Sequence, residues 1–84
     1  MPKVTFTSHA EAQIAERKLP RELIGQTVDQ PDETKPSGSR QVRQRVFRFA
    51  GKDYMIRAVC EQLDDEIVVV TVYRTSKLAK YRGV

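Results

Sequence analysis

With 84 residues, 39% of them hydrophobic and 31% charged, the chain can build one modest core and has no material for a second domain. Its single cysteine, Cys60, excludes an intramolecular disulfide, and beside the single histidine, His9, it cannot make a structural zinc site unless other ligand types or a second chain contribute, so no cofactor is expected. No apolar run nears the roughly 18 residues that cross a bilayer, and the start, Met1 to Phe6, lacks the apolar stretch of a signal peptide, so the expectation is one cytoplasmic domain over residues 1–84 with no membrane partner.

Val4 and Phe6 alternate with polar residues and predict a short first strand. Ser8 then offers a hydroxyl to a helix start, with Glu11 placed to reach back to the Ser8 amide as a capping box. The first helix runs to about Lys18 on a thin stripe of Ala10 and Ile14. Pro20 suits the opening turn of a second helix through Leu23, Ile24 and Val28, which must stop before Pro31. Gly25 costs that helix about 1 kcal/mol relative to alanine, which tertiary packing has to offset. Residues 30–39, with two prolines, a glycine and no large apolar side chain, read as a surface loop.

Three runs rich in β-branched and aromatic residues follow, divided by turn sequences at residues 50–53 and 62–66, and predict an antiparallel meander. The first, residues 40–50, alternates imperfectly and suggests a bulge near Phe47, Arg48 and Phe49. The second places Tyr54, Ile56, Ala58 and Cys60 on one face, which helices should cover, and Met55, Arg57, Val59 and Glu61 on the other. The third, Ile67 to Tyr73, is apolar on both faces and reads as a central strand. Ser76 can cap a short C-terminal helix in which Leu78 and Tyr81 pair three residues apart. The expected class is therefore α+β: a short N-terminal strand, two helices, a three-stranded meander and a short C-terminal helix.

Charge is concentrated in the second half, with −1 over residues 1–39 and +5 over residues 40–84. A polyanion, RNA above all, is the partner such a field suits, although a basic chain can also be merely soluble. Arg57 sits mid-strand among apolar neighbours, where it would either bind a phosphate in bidentate fashion or pair with Glu61, two positions along the same face, or with a cross-strand acid. Arg43 and Arg45 share a strand face and could bind nucleic acid or guard an edge. Arg74, Thr75, Lys77 and Lys80 could line a phosphate path, with Tyr81 as stacking platform, proton donor or core plug. His9 is the only side chain whose ordinary titration range suits proton transfer near neutral pH. It could take the proton from a ribose 2′-hydroxyl while guanidinium groups neutralise the phosphate, or it could pack against the sheet and orient its helix. Cys60 falls on the covered face, where a thiol behaves as a small hydrophobe.

The runs Phe6-Thr7-Ser8-His9-Ala10 and Gln13-Ile14-Ala15-Glu16-Arg17, the pair Pro31-Asp32, and the ending Val69 to Lys77 with Lys80-Tyr81 resemble a small bacterial family, the domain of unknown function 4258 family, across nearly the whole chain. That family in turn resembles the RelE, ParE and BrnT toxins in its order of elements. The resemblance implies a RelE-like, helices-then-meander fold shared with metal-independent endoribonucleases that an antitoxin holds inactive. On such a fold the residues themselves leave His9, Arg57 and Tyr81 as the catalytic candidates, a histidine at the first helix start being a departure from the best-known RelE pattern, and the resemblance makes RNA and an acidic antitoxin the candidate partners. A non-catalytic, ParE-like protein-interaction module is the alternative, and an exposed outer strand would permit a homodimer.

Overall fold

The computed structural model describes residues 3–78. Seven elements follow in chain order: β1 (Lys3–Phe6), α1 (Ser8–Arg17), α2 (Arg21–Asp29), β2 (Glu33–Ser37), β3 (Arg40–Phe49), β4 (Lys52–Leu63) and β5 (Glu66–Thr75). The strands form one mixed sheet in the order β1-β5-β4-β3-β2, antiparallel throughout except for β1, which runs parallel to β5. The expected class, a three-stranded meander flanked by a separate short strand and a C-terminal helix in a RelE-like arrangement, is thereby corrected to a five-stranded mixed sheet with two helices. Most of the C-terminal helix expected around Leu78 and Tyr81 lies outside the described residues.

The largest local correction concerns residues 30–39, where a loop was expected and β2 is found. Pairing on one side only makes this polar segment viable as a strand. It is the sheet's outer edge, where the missing N–H of Pro36 is tolerated and the Glu33–Lys35 ion pair at 3.5 Å keeps charge on the rim. Gly38, at a φ of +63°, opens the tight turn back to Arg40. Where β2 stops opposite Gln44, Asp32 takes over. Its amide donates to the Gln44 carbonyl at 2.9 Å, and its carboxylate accepts from the Val46 amide at 2.9 Å.

The first helix is capped one residue earlier than expected and begins at Ser8 itself. Thr7, not Ser8, is the N-cap, its hydroxyl accepting from the Ala10 amide at 3.1 Å, and Glu11 is paired with Arg21 across the two helices instead of closing a capping box. Thr7 also ties the helix to β5. Its amide donates to the Val69 carbonyl and its hydroxyl to the Val70 carbonyl, both at 3.0 Å. These bonds answer a register break. The bulge expected near Phe47 is absent from β3, which pairs with β4 without interruption, and the irregularity lies in β5, where Val70 has no opposite number on β4. β1 covers β5 only as far as Val69, so beyond it helix side chains serve the open edge: Thr7 at Val70, and Gln13, whose Oε1 accepts from the Val72 amide at 3.0 Å.

Both helices lie on one face of the sheet. Ile56, Ala58 and Cys60 of β4 and Ile67, Val69 and Val72 of β5 pack there against Ala10, Ile14, Leu19, Ile24 and Val28. This is the face the alternation of β4 predicted. Ala10 and Ala58 are fully buried, and their small side chains let helix and sheet approach closely.

Candidate functional site

Strand alternation divides the basic second half of the chain between the two faces of the sheet. Arg43 stands opposite Ala58, and Arg45 and Arg74 flank Ile56, so these three arginines share the helix-covered face. Arg57 lies in a cross-strand row with Gln44 and Tyr73 on the other face. On that face Arg40 pairs with Glu61 and Arg48 with Asp53, each at 3.7 Å.

Arg57 is held within its row. Its Nε donates to Gln44 Oε1 at 3.1 Å, a second guanidinium nitrogen donates to the Tyr73 hydroxyl, and its carbon lies 5.6 Å from the centroid of the Tyr73 ring. Gln44 is buried to 1% exposure, and its amide oxygen gains a charged donor there.

Arg43 and Arg45 serve the C-terminal end of α2. Arg43 donates to the Val28 carbonyl and Arg45 to the Gln30 carbonyl, the latter at 3.0 Å. The last carbonyls of a helix lack intrahelical partners and sit at the negative end of its dipole, so two guanidinium groups satisfy both needs together. Asp29 and Gln30 end a helix with no basic residue in its last turn, and β3 supplies the missing charge. Arg43 also lies near Cys60, whose thiol burial pushes up to about 11, with the guanidinium opposing that shift; the sulfur is a packed apolar group.

His9 is exposed in the first turn of α1, at the level of Val69 and Val70 through the bonds of Thr7. Because α1 covers the face opposite the one carrying Arg57, imidazole and guanidinium lie on different sides of the sheet. Arg74, on the helix side, is four strand residues from Val70, roughly 13 Å along β5. The described residues therefore do not bring His9, Arg57 and the other cations around one phosphate. Thr75 is on the Arg57 side and its hydroxyl accepts from the Lys77 amide at 3.1 Å; Lys77 is exposed. Tyr81 and Lys80 lie outside the described residues.

What the sheet does assemble is a block of alternating cations and rings at the β3–β4 turn end of the helix-side face. Arg45 lies over Phe47, 5.4 Å from the ring centroid, and Arg74 over Tyr54 at 4.9 Å. Phe47 and Tyr54 are directly paired across the strands, and the next row on that face is Phe49 and Lys52. No acidic side chain occurs at these positions; Asp53 alternates to the other face, where it meets Arg48. Phe49 is 41% exposed, Arg74 and Lys52 are exposed, and Arg45, Phe47 and Tyr54 are half-buried. Sequence reasoning missed Phe47, Phe49, Lys52 and Tyr54. The available signal was the i, i+2 spacing of Arg45, Phe47 and Phe49 on a strand. An open depression lined by Gln62, Leu63 and Asp64 lies at the opposite end of β4 and shares no residue with this block.

Comparison with family models matches residues 6–74 to Domain of unknown function (DUF4258). The chain belongs to the DUF4258 family. No curated protein and no solved structure matches it. In this DUF4258 chain the matched segment runs from Phe6 to Arg74 and so takes in α1, α2 and the whole cation and ring block. Among its described residues no helix is long and apolar enough to cross a membrane.

Proposed function

We propose that this DUF4258 protein binds RNA through the surface formed by Arg45, Phe47, Phe49, Lys52, Tyr54 and Arg74. The single observation that carries the proposal is the pairing of each arginine with an aromatic ring, Arg45 with Phe47 and Arg74 with Tyr54. Cations answer the phosphates and rings answer the bases, a combination that a merely soluble basic surface does not need. The net charge of +4 supplies long-range attraction to a polyanion.

Binding without cleavage is the reading that the placement of His9 and Arg57 supports. Metal-independent cleavage of RNA needs a base at the 2′-hydroxyl and a cation at the adjacent phosphate together. His9 and Arg57, the pair that would fill those roles, have the sheet between them. Arg57 acts instead as the hub of the Gln44 and Tyr73 row.

The test is fluorescence anisotropy with a labelled RNA at about 50 and about 200 mM salt, in EDTA, with the RNA run on a gel afterwards. The expected result is binding that weakens steeply with salt, intact RNA, loss of affinity in Arg74→Ala and an unchanged affinity in His9→Ala. Absence of binding at the lower salt overturns the proposal. Cleavage that disappears in His9→Ala would restore the nuclease reading. An acidic protein partner is the second reading, and it gains ground if a polyglutamate peptide displaces RNA at equal charge.

A further inference from the structure

Building on the RNA-binding reading, we infer that the ligand is single-stranded RNA, read by base stacking on a two-ring platform and largely without regard to base identity. Phe47 and Tyr54 are directly opposed on neighbouring strands. Opposed residues bring their Cβ atoms to about 5 Å, so the two rings are neighbours on the same face of the sheet. Arg45 and Arg74 flank this platform from the adjacent row, separated by Ile56 on the strand between them. Two strand spacings put their backbones roughly 10 Å apart, far enough for each to meet its own phosphate. The third row extends the surface with Phe49 and Lys52.

The rings discriminate between forms of RNA where the cations do not. A duplex offers its phosphates to arginine and lysine but keeps its base faces inside the stack. An unpaired strand can lay a base on an aromatic ring or on a guanidinium plane. Every base has such a face, so stacking tolerates any sequence. The six side chains of the block are flat groups and cations, and the neighbouring Asp32 carboxylate is engaged with the Val46 amide, so the block favours stacking over the reading of base edges.

The experiment compares a ten-residue oligouridylate, an RNA duplex of similar charge and inorganic polyphosphate, each titrated against wild type and the Phe47→Leu/Tyr54→Leu double variant. Leucine keeps the apolar packing of Phe47 against the core while removing the stacking face. The expected result is wild-type preference for the single strand, with a loss of about tenfold or more for the oligouridylate in the double variant. Binding of duplex and polyphosphate should change by less than about twofold, because the charge is untouched. If the double variant fails to fold, Phe49→Ala at its exposed position carries the same comparison, with a smaller expected loss on the single strand only. Equal binding of all three polyanions, unaffected by removal of the rings, overturns single-strand recognition and leaves RNA binding in place. Failure of wild type to bind any of the three overturns both.

Discussion

The guanidinium carbon of Arg74 lies 4.9 Å from the centroid of the Tyr54 ring, with the two residues on adjacent strands and the pair open to solvent on its arginine side. Cation and ring attract through the ring quadrupole, and at an exposed site this is worth about 0.5–1 kcal/mol. A double-mutant cycle with Arg74→Ala and Tyr54→Leu, followed by urea denaturation, should return a coupling in that range. No coupling would show that the stack forms without contributing to stability.

Arg43 is the costlier arginine to remove. Its guanidinium reaches the Val28 carbonyl from within the helix-side packing, while Arg45 reaches Gln30 nearer the surface. Hydrogen bonds from charged donors carry about 1.5–3 kcal/mol. Arg43→Ala should therefore destabilise the fold by about 2 kcal/mol, and Arg45→Ala by about 1 kcal/mol, as measured by midpoint shifts at constant denaturant slope. Equal, negligible losses would mean that water caps α2 as well as the two arginines do.

Thr7 joins three roles in one side chain: helix cap, donor to the bulged Val70 carbonyl and last residue before α1. Thr7→Ala should cost about 1–2 kcal/mol, and Thr7→Ser much less because the hydroxyl is retained. If serine is as damaging as alanine, the methyl group and not the hydroxyl is what matters.

Cys60 gives the protein an alkaline liability. Its thiol is 1% exposed and its pKa rises from 9.0 to about 11 because burial disfavours the thiolate. Between those values the unfolded chain releases a proton that the folded chain keeps, so unfolding becomes more favourable as pH rises from about 9 towards 11. Two pKa units correspond to about 3 kcal/mol as an upper bound. Urea midpoints at pH 8 and pH 10.5 should fall further for wild type than for Cys60→Ala, and iodoacetamide should label the native protein far more slowly than the unfolded one.

The turn joining β3 to β4 holds Ala50 at a φ of +49° beside Gly51 at +78°. A Cβ is disfavoured in that region, and two-residue hairpin turns of this kind favour Asn-Gly or Gly-Gly. Ala50→Asn should stabilise the protein by about 0.5–1 kcal/mol, read as a raised midpoint temperature. Since Phe49 and Lys52 flank this turn, the same variant should leave RNA affinity unchanged or improved.

Much of the helix-side face could be read from the chain because alternation is a local property. Ile56, Ala58 and Cys60 fall together whatever strands lie beside them, and α2 stops before Pro31 for reasons contained in the peptide itself. The same alternation, applied to Arg43, Arg45, Arg57 and Arg74, would already have set Arg57 apart from Arg43 and Arg45 had the strands been aligned. Register is what was missing. It depends on hydrogen bonds between residues far apart in sequence, such as Val4 with Ile67 and Glu33 with Gln44. A strand made of Glu-Thr-Lys-Pro-Ser has no apolar period and forms only because β3 presents an edge to it.

Composition and local pattern by themselves determined two helices, three long strands and a basic second half. Tertiary structure alone decided that β1 lies parallel to β5, that residues 33–37 close the opposite edge, and that His9 and Arg57 face away from one another. The reason is that side-chain periodicity tells which residues share a face of one strand, whereas which strands are neighbours is set by long-range pairing and by the burial of the helices on one side only.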